Sequence, residues 1–496
     1  MTVILKNGLG WRDVARIARG ERLELSAEAE ARIARGADIV RRIVESGVRA
    51  YGINTGVGAL SDTVVSRDAQ SRLSRNILLS HAAGVGPSLP AAEVRAIIAA
   101  QIANFAHGHS GVRPDIVRHY TAFLNAGLVP EVPSRGSVGY LTHNASIALL
   151  LIGEGQARVG ERLLPGREAL AAIGLEPLVL GAKEGLSLVN GSACATGLAA
   201  LALARAEHLL DWADAAAALS VEAAGCQMPA FRADVIALRP SAGMAAVAAG
   251  LNARLQGSAQ IAAAAGRRTQ DALSLRAIPH VHGAARDVLA ETARVVDQEL
   301  ASVTDNPALS GTPEHPVVSS EAHAVAPALA LALDSLAIAV TQLVLMSERR
   351  LDRFVNPLVS GLPAFLASDA GSHSGFMIAQ YTAVGLANEA RRLAAPASVD
   401  GGVTSGLQED FLANPTPAAN KLHAILDNGE YVVGIELMVA AQASDFRAAE
   451  AARAKGTGAV HAMVRSRVAP YEDDRPLNGD MERLRSMVRE DDPPAA

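Results

Sequence analysis

The run ATGLAALALARAEHLLDWADAAAA, Ala195 to Ala218, decides the class of fold. Alanine and leucine are the strongest helix formers, and no proline interrupts them. Apolar residues fall on more than one face, the pattern of a helix buried on several sides. Gly243 to Ala265, Arg286 to Ala301 and Ala326 to Arg353 repeat it. After residue 411 the pattern is again helical, with Asn420 to Ala454 the longest run. Asp480 to Arg489 reads as a last helix, and Glu490-Asp491-Asp492-Pro493-Pro494 as a frayed end.

Composition agrees. The chain of 496 residues is 50% hydrophobic but only 3% aromatic, so Ala, Leu and Val build the core as packed helices rather than sheet. A net charge of −6 gives no nucleic-acid footprint. Two cysteines, Cys194 and Cys226, make no disulfide framework. The first residues show no charged leader followed by a long apolar run. The apolar stretch Ala324 to Val340 contains Pro327 and Asp334 and reads as buried helix, not as a membrane span. The expected compartment is the cytoplasm, with no membrane partner.

Residues 1–200 differ from the rest. Short helices alternate with Gly-rich turns at Gly56-Val57-Gly58, Gly84-Val85-Gly86-Pro87 and Gly136 to Gly139, and functional groups tend to sit on such loops. The expected division is an N-terminal active-site domain over 1–200 and a long-helix bundle with C-terminal helices over 201–496. Pro307 to Ser320 and Pro357 to Ser374 read as Pro/Gly-broken connections.

Several segments resemble one family in number, order and spacing. They are Tyr51-Gly52-Ile53-Asn54-Thr55-Gly56-Val57-Gly58, Asn76 to Gly84, and Lys183-Glu184-Gly185-Leu186-Ser187-Leu188-Val189-Asn190-Gly191. Further along come Gln270-Asp271-Ala272-Leu273-Ser274-Leu275-Arg276, Thr304-Asp305-Asn306-Pro307, Ser347-Glu348-Arg349-Arg350, Ser374-Gly375-Phe376-Met377 and Gln408-Glu409-Asp410. Across roughly residues 40–450 the chain resembles the histidine and aromatic amino-acid ammonia-lyases. That implies an all-α, fumarase/aspartase-like fold with a central bundle of long helices. It also implies a homotetramer whose active sites each draw on three subunits.

The resemblance assigns roles residue by residue. Tyr51 matches the tyrosine proposed to remove the β-proton; a phenol can do so if nearby positive charge lowers its pKa. Arg276 matches the arginine that holds the substrate carboxylate, which suits the two parallel bonds of a guanidinium. His81 and Glu409 match positions that face the imidazole in the histidine-specific branch. Asn190 and Gln270 match further active-site amides, with ordinary loop or helix-end amides as the alternative reading. Tyr140, Leu273 and Ala322 line the expected site where the family carries Asp, Tyr and Phe. His107-Gly108-His109 and His280-Val281-His282 lack a carboxylate or thiolate at a recognised metal spacing, so no metal is expected. Gly371 to Gly375 is no nucleophile elbow, and Gly136 to Gly139 is no phosphate loop.

One feature departs from the family. In Gly136-Ser137-Val138-Gly139-Tyr140-Leu141-Thr142-His143-Asn144 the family's Ala-Ser-Gly, which cyclises to an electrophilic methylidene-imidazolone, is absent. Either the triad is missing from the sequence as written, or the electrophile is lost; the changes at Tyr140, Leu273 and Ala322 favour loss. The electrophile serves to bond an amine whose N–H a base would otherwise attack first. A quaternary ammonium has no N–H and leaves unaided. The leading expectation is therefore a cofactor-free, ergothionase-like lyase that eliminates trimethylamine from a histidine betaine such as ergothioneine, giving a (thio)urocanate. The alternatives are a methylidene-imidazolone-dependent histidine or aromatic amino-acid ammonia-lyase, and an inactive homologue with a binding role. The partner in either enzyme reading is a small amino-acid or betaine substrate.

Overall fold

The structure is a computed structural model and describes residues 2–447 and 453–496. It is 61% helical, so the all-α expectation holds. Its helices include α1 (Arg67–His81), α2 (Ala91–Ala106), α3 (Thr142–Ala148), α4 (Glu184–Val189), α5 (Ala193–Ala224), α6 (Ile278–Leu300), α7 (Pro327–Val355) and α8 (Pro415–Arg447). The Ala/Leu run Ala195 to Ala218 lies wholly within α5.

The long patterns are helices with small differences of boundary. Gly243 to Ala265 splits into Ala242–Leu255 and Ala259–Ala264, because Ser258 caps the second piece by accepting from the Ile261 amide. The expected run Asn420 to Ala454 is α8 as far as Arg447; residues 448–452 lie outside the described residues. Pro307 to Ser320 is not a plain connection. Ala308–Gly311 and Pro316–Ser319 pair antiparallel, Ala308 with Ser319 and Gly311 with Pro316. The pattern hid this hairpin because its strands are only four residues each.

Internal contacts divide the chain into two compact units. The first holds Met1–Ala204, Thr292–Leu333 and Pro396–Asn420; the second holds Arg205–Glu291, Asp334–Ala395 and Lys421–Ala496. All short strand pairs among the described residues fall in the first unit. They run Thr2–Leu5 parallel to Arg22–Leu25, Val85–Ser88 against Pro133–Arg135, and Leu128–Pro130 beside Gln156–Val159 and Arg162–Pro165. Its core includes α2, buried from Val94 to Ala106.

The second unit is built on helix packing. One cluster gathers Ala217, Val221, Phe231, Val247, Leu251, Ile278 and Met346. Within it Arg350 and Glu436 form a fully buried ion pair at 2.6 Å. Burying two charges is costly unless every donor and acceptor is used. Here Ser220 and Ser347 also donate to Glu436, and His282 sits between Arg350 and Asp214. His282 is thus a core residue. His107 and His109 bond the carbonyl oxygens of Leu300 and Leu309, so neither His-x-His pair is a free ligand set. Both cysteines are buried free thiols, and burial pushes Cys194 up to about 12.

The apolar windows of the α4–α5 stretch and of α7 are long enough to cross a membrane by composition. In the protein the first is 100% buried and the second 67% buried.

Candidate active site

Loops and helix ends of the first unit converge on one cavity of about 760 Å³. It is lined by Tyr51, His81, Tyr140, Asn190, Ala322 and Glu409, six of the nine expected site residues, although they are up to 358 positions apart (409 − 51).

Tyr51 stands on the loop after helix Ala27–Ser46. Asn54 staples that loop: its Oδ1 accepts from the Ala50 amide and its Nδ2 donates to the Val48 carbonyl, both at 2.8 Å. Two glycines let it lie flush. A Cβ on Gly52 (φ 65°) would stand 2.3 Å from a Leu186 methyl, and one on Gly58 (φ 55°) 2.4 Å from Ser405 Oγ. The Gly58 amide donates to the Tyr51 oxygen at 3.3 Å.

Glu409 arrives on a short, strained loop. Its backbone pairs with Thr404, and Ser405, Gly406 and Leu407 between them all have positive φ. Two of the three are not glycine, a cost that tertiary contacts must hold in place. His81 ends α1, with Ser80 Oγ 3.0 Å from its Nδ1. Asn190 caps the C-terminal end of α4. Its Nδ2 donates to the Asn306 carbonyl at 2.7 Å and its Oδ1 accepts from the Gly191 amide at 3.0 Å.

The electrostatics qualify one expectation. Burial raises the Tyr51 phenol, Glu409 raises it further, and the Gly58 amide only partly opposes them. Burial and then Glu409 raise the Tyr140 phenol as well. Both rings are therefore neutral donors within this unit. The lowered phenol expected for a base at Tyr51 is absent here, because the charged group beside it is a carboxylate and not a cation. Burial lowers His81, which favours its neutral imidazole.

Gln270, Leu273 and Arg276 belong to the second unit. Gln270 lines a small hollow with Arg268 and Arg353. Arg276 Nη1 donates to the Asp271 carbonyl at 2.5 Å, and Leu273 is 65% exposed. Sequence reasoning passed over Asn76, Asn306, Glu321 and Ser405, which also line the cavity. Asn76 and Asn306 sit inside the family-like segments, but nothing in one sequence separates a lining residue from its neighbour.

The family profile described as aromatic amino acid lyase matches residues 9–466. The chain belongs to the aromatic amino acid lyase family. Membership in the aromatic amino acid lyases makes it a carbon–nitrogen lyase. Histidine ammonia-lyase of Symbiobacterium thermophilum is 44% identical over 96% of this chain and 94% of its own. The crystal structure of histidine ammonia-lyase from Trypanosoma cruzi matches with a TM-score of 0.91 at 34% identity, over 99% of this chain and 93% of that one. Ergothionase from Treponema denticola matches with a TM-score of 0.92 at 30% identity, over 98% of both chains.

These comparisons correct the leading functional expectation. Curated relatives at 40–44% identity over nearly the whole chain are named histidine ammonia-lyase, so trimethylamine elimination from a betaine is not the reading they support. The fold cannot choose, since both enzymes share it.

The residues present do not fit the family's methylidene-imidazolone. Gly139 is joined directly to Tyr140, and the backbone closes at once. Leu141, at φ 72° and ψ −75°, sits in the rare strained γ-turn, with the Thr142 amide donating to the Tyr140 carbonyl at 3.0 Å. The Leu141 amide donates to the Val189 carbonyl at 2.9 Å, and α3 begins at Thr142.

Proposed function

We propose that this lyase eliminates ammonia from histidine to give urocanate. The observation that carries the reading is the meeting of Tyr51, His81 and Glu409 around one cavity, in a chain 44% identical to a histidine ammonia-lyase. Glu409 accepts a hydrogen bond from a ring N–H of the substrate, and His81 flanks the ring. An imidazole held in its protonated form delocalises negative charge developing on the adjacent Cβ, which eases loss of the β-proton. Loss of an N–H proton to the base is reversible and only returns the substrate. The productive event is loss of the β-proton to the base while the protonated ring carries the charge, after which the C–N bond breaks and the α-ammonium departs as neutral ammonia.

Tyr51 is the proposed base. It requires a cation, and Arg276 is the proposed source, with Gln270 and Leu273, from a neighbouring subunit of a homotetramer. The exposure of Leu273 supports such an assembly. Arg276 is also the proposed carboxylate clamp. The proposed compartment is the cytoplasm.

The test is to incubate purified protein with histidine and follow ammonia and the conjugated acrylate together. Their joint, equimolar appearance is expected; no ammonia from histidine overturns the reading. The intact mass of the same sample is expected to equal that of the sequence as written, with no residues between Gly139 and Tyr140. Light scattering is expected to return four times the chain mass, and a stable monomer would remove the shared site.

A further inference from the structure

We infer that Lys183 and Asp305 form a positioning pair that sets the Asn190 amide in the cavity; this rests on the cavity being the elimination site proposed above. Both side chains are wholly out of solvent, with Lys183 Nζ 2.9 Å from Asp305 Oδ2. Lys183 Nζ spends its other bonds on the Ser110 carbonyl and Ser187 Oγ, each at 2.8 Å.

The geometry shows what the pair holds. Lys183 is the N-cap of α4 and takes a left-handed backbone at φ 66°, unusual for a side chain with a Cβ. Asn190 is the C-cap of the same six-residue helix. Asp305 is followed at once by Asn306, whose carbonyl takes the Asn190 Nδ2 hydrogen bond. A short helix is therefore clamped at both ends to one segment: Lys183 to Asp305, and Asn190 to Asn306. The Thr304 amide donates to Asn104 Oδ1 at 2.9 Å and fixes that segment from behind. Asn306 Oδ1 in turn accepts from the Glu321 amide at 3.0 Å, so the clamp also reaches the 321–325 wall of the cavity.

Stability alone does not call for this arrangement. A buried ion pair is a weak source of net stability compared with apolar side chains of similar volume. What the pair adds is register. It fixes how far α4 lies along residues 304–306, and with that which donor Asn190 has left for a ligand. Neither residue lines the cavity, so each positions it through Asn190 and Asn306; the Asp305 charge also adds slightly to the raising of the Tyr51 phenol, which the amide-exchange readout does not sense.

The test uses full-length Lys183→Met, Asp305→Asn and the Lys183→Met/Asp305→Asn double variant beside wild type. Single variants leave one charge unpaired and lose melting temperature. The double variant removes both charges and regains it. Its kcat for histidine is expected to stay down by roughly 100-fold, the scale of a misplacement of about 1 Å, with KM changed far less. Backbone amide exchange at residues 190–191 and 304–325 is expected to remain faster than in wild type. A folded double variant with wild-type kcat and wild-type exchange overturns the inference. If wild type itself releases no ammonia, the proposed function fails, and the exchange comparison still decides the pair.

Discussion

Replacing Glu409 by glutamine tests ring recognition and base chemistry together. The carboxylate's hydrogen bond to a ring N–H is charge-assisted, worth about 1.5–3 kcal/mol, whereas the amide's is a neutral one of about 0.5–1.5 kcal/mol. The difference of about 1–1.5 kcal/mol corresponds to a loss of roughly 5–15-fold in kcat/KM, at about 1.4 kcal/mol per factor of ten. The same change acts on the phenols. Burial and the Glu409 charge together raise Tyr51 and Tyr140, so removing the charge lowers both toward their ordinary value. A base at Tyr51 works as phenolate, and the rate climbs with pH until that phenol is ionised. In Glu409→Gln the rising limb is therefore expected at lower pH than in wild type. The assay is urocanate formation from histidine, measured from pH 6 to about 11 for both proteins. A limb that stays in place, or moves upward, refutes the coupling of Glu409 to a Tyr51 base. A wild-type kcat/KM refutes the ring contact.

Two further substitutions divide binding from chemistry. Tyr51→Phe removes the proposed base but not the contacts that hold the substrate, so kcat is expected to fall about 10²–10⁴-fold while KM moves little; steady-state kinetics at several pH values checks it, and retention of most turnover would dismiss Tyr51. Arg276→Lys keeps the charge and loses the two-pronged fork, so kcat/KM is expected to fall by about 1.5–3 kcal/mol. An unchanged kcat/KM in a correctly assembled oligomer would take Arg276 out of the site.

The helices were legible because their cause is local. Alanine and leucine favour helix at every position of α5 and α7, whatever they pack against, and the composition of those runs is enough. The hairpin over Ala308–Gly311 and Pro316–Ser319 was not legible, since two four-residue strands exist only by pairing with each other. Motif by motif, Tyr51, His81, Asn190 and Glu409 could be singled out, and the absence of three residues before Tyr140 is a property of the sequence alone. That absence did not by itself identify the leaving group, which is why the first functional reading was overturned by whole-chain similarity. Only the tertiary structure decided which residues meet. It joined residues 51, 81, 140, 190, 322 and 409 around one cavity and placed residues 270–276 in the other unit. It also decided the sign of the Tyr51 shift. A phenol's ionisation depends on burial and on the nearest charge, and in this fold that charge is Glu409, brought there from 358 residues away (409 − 51) by tertiary contacts.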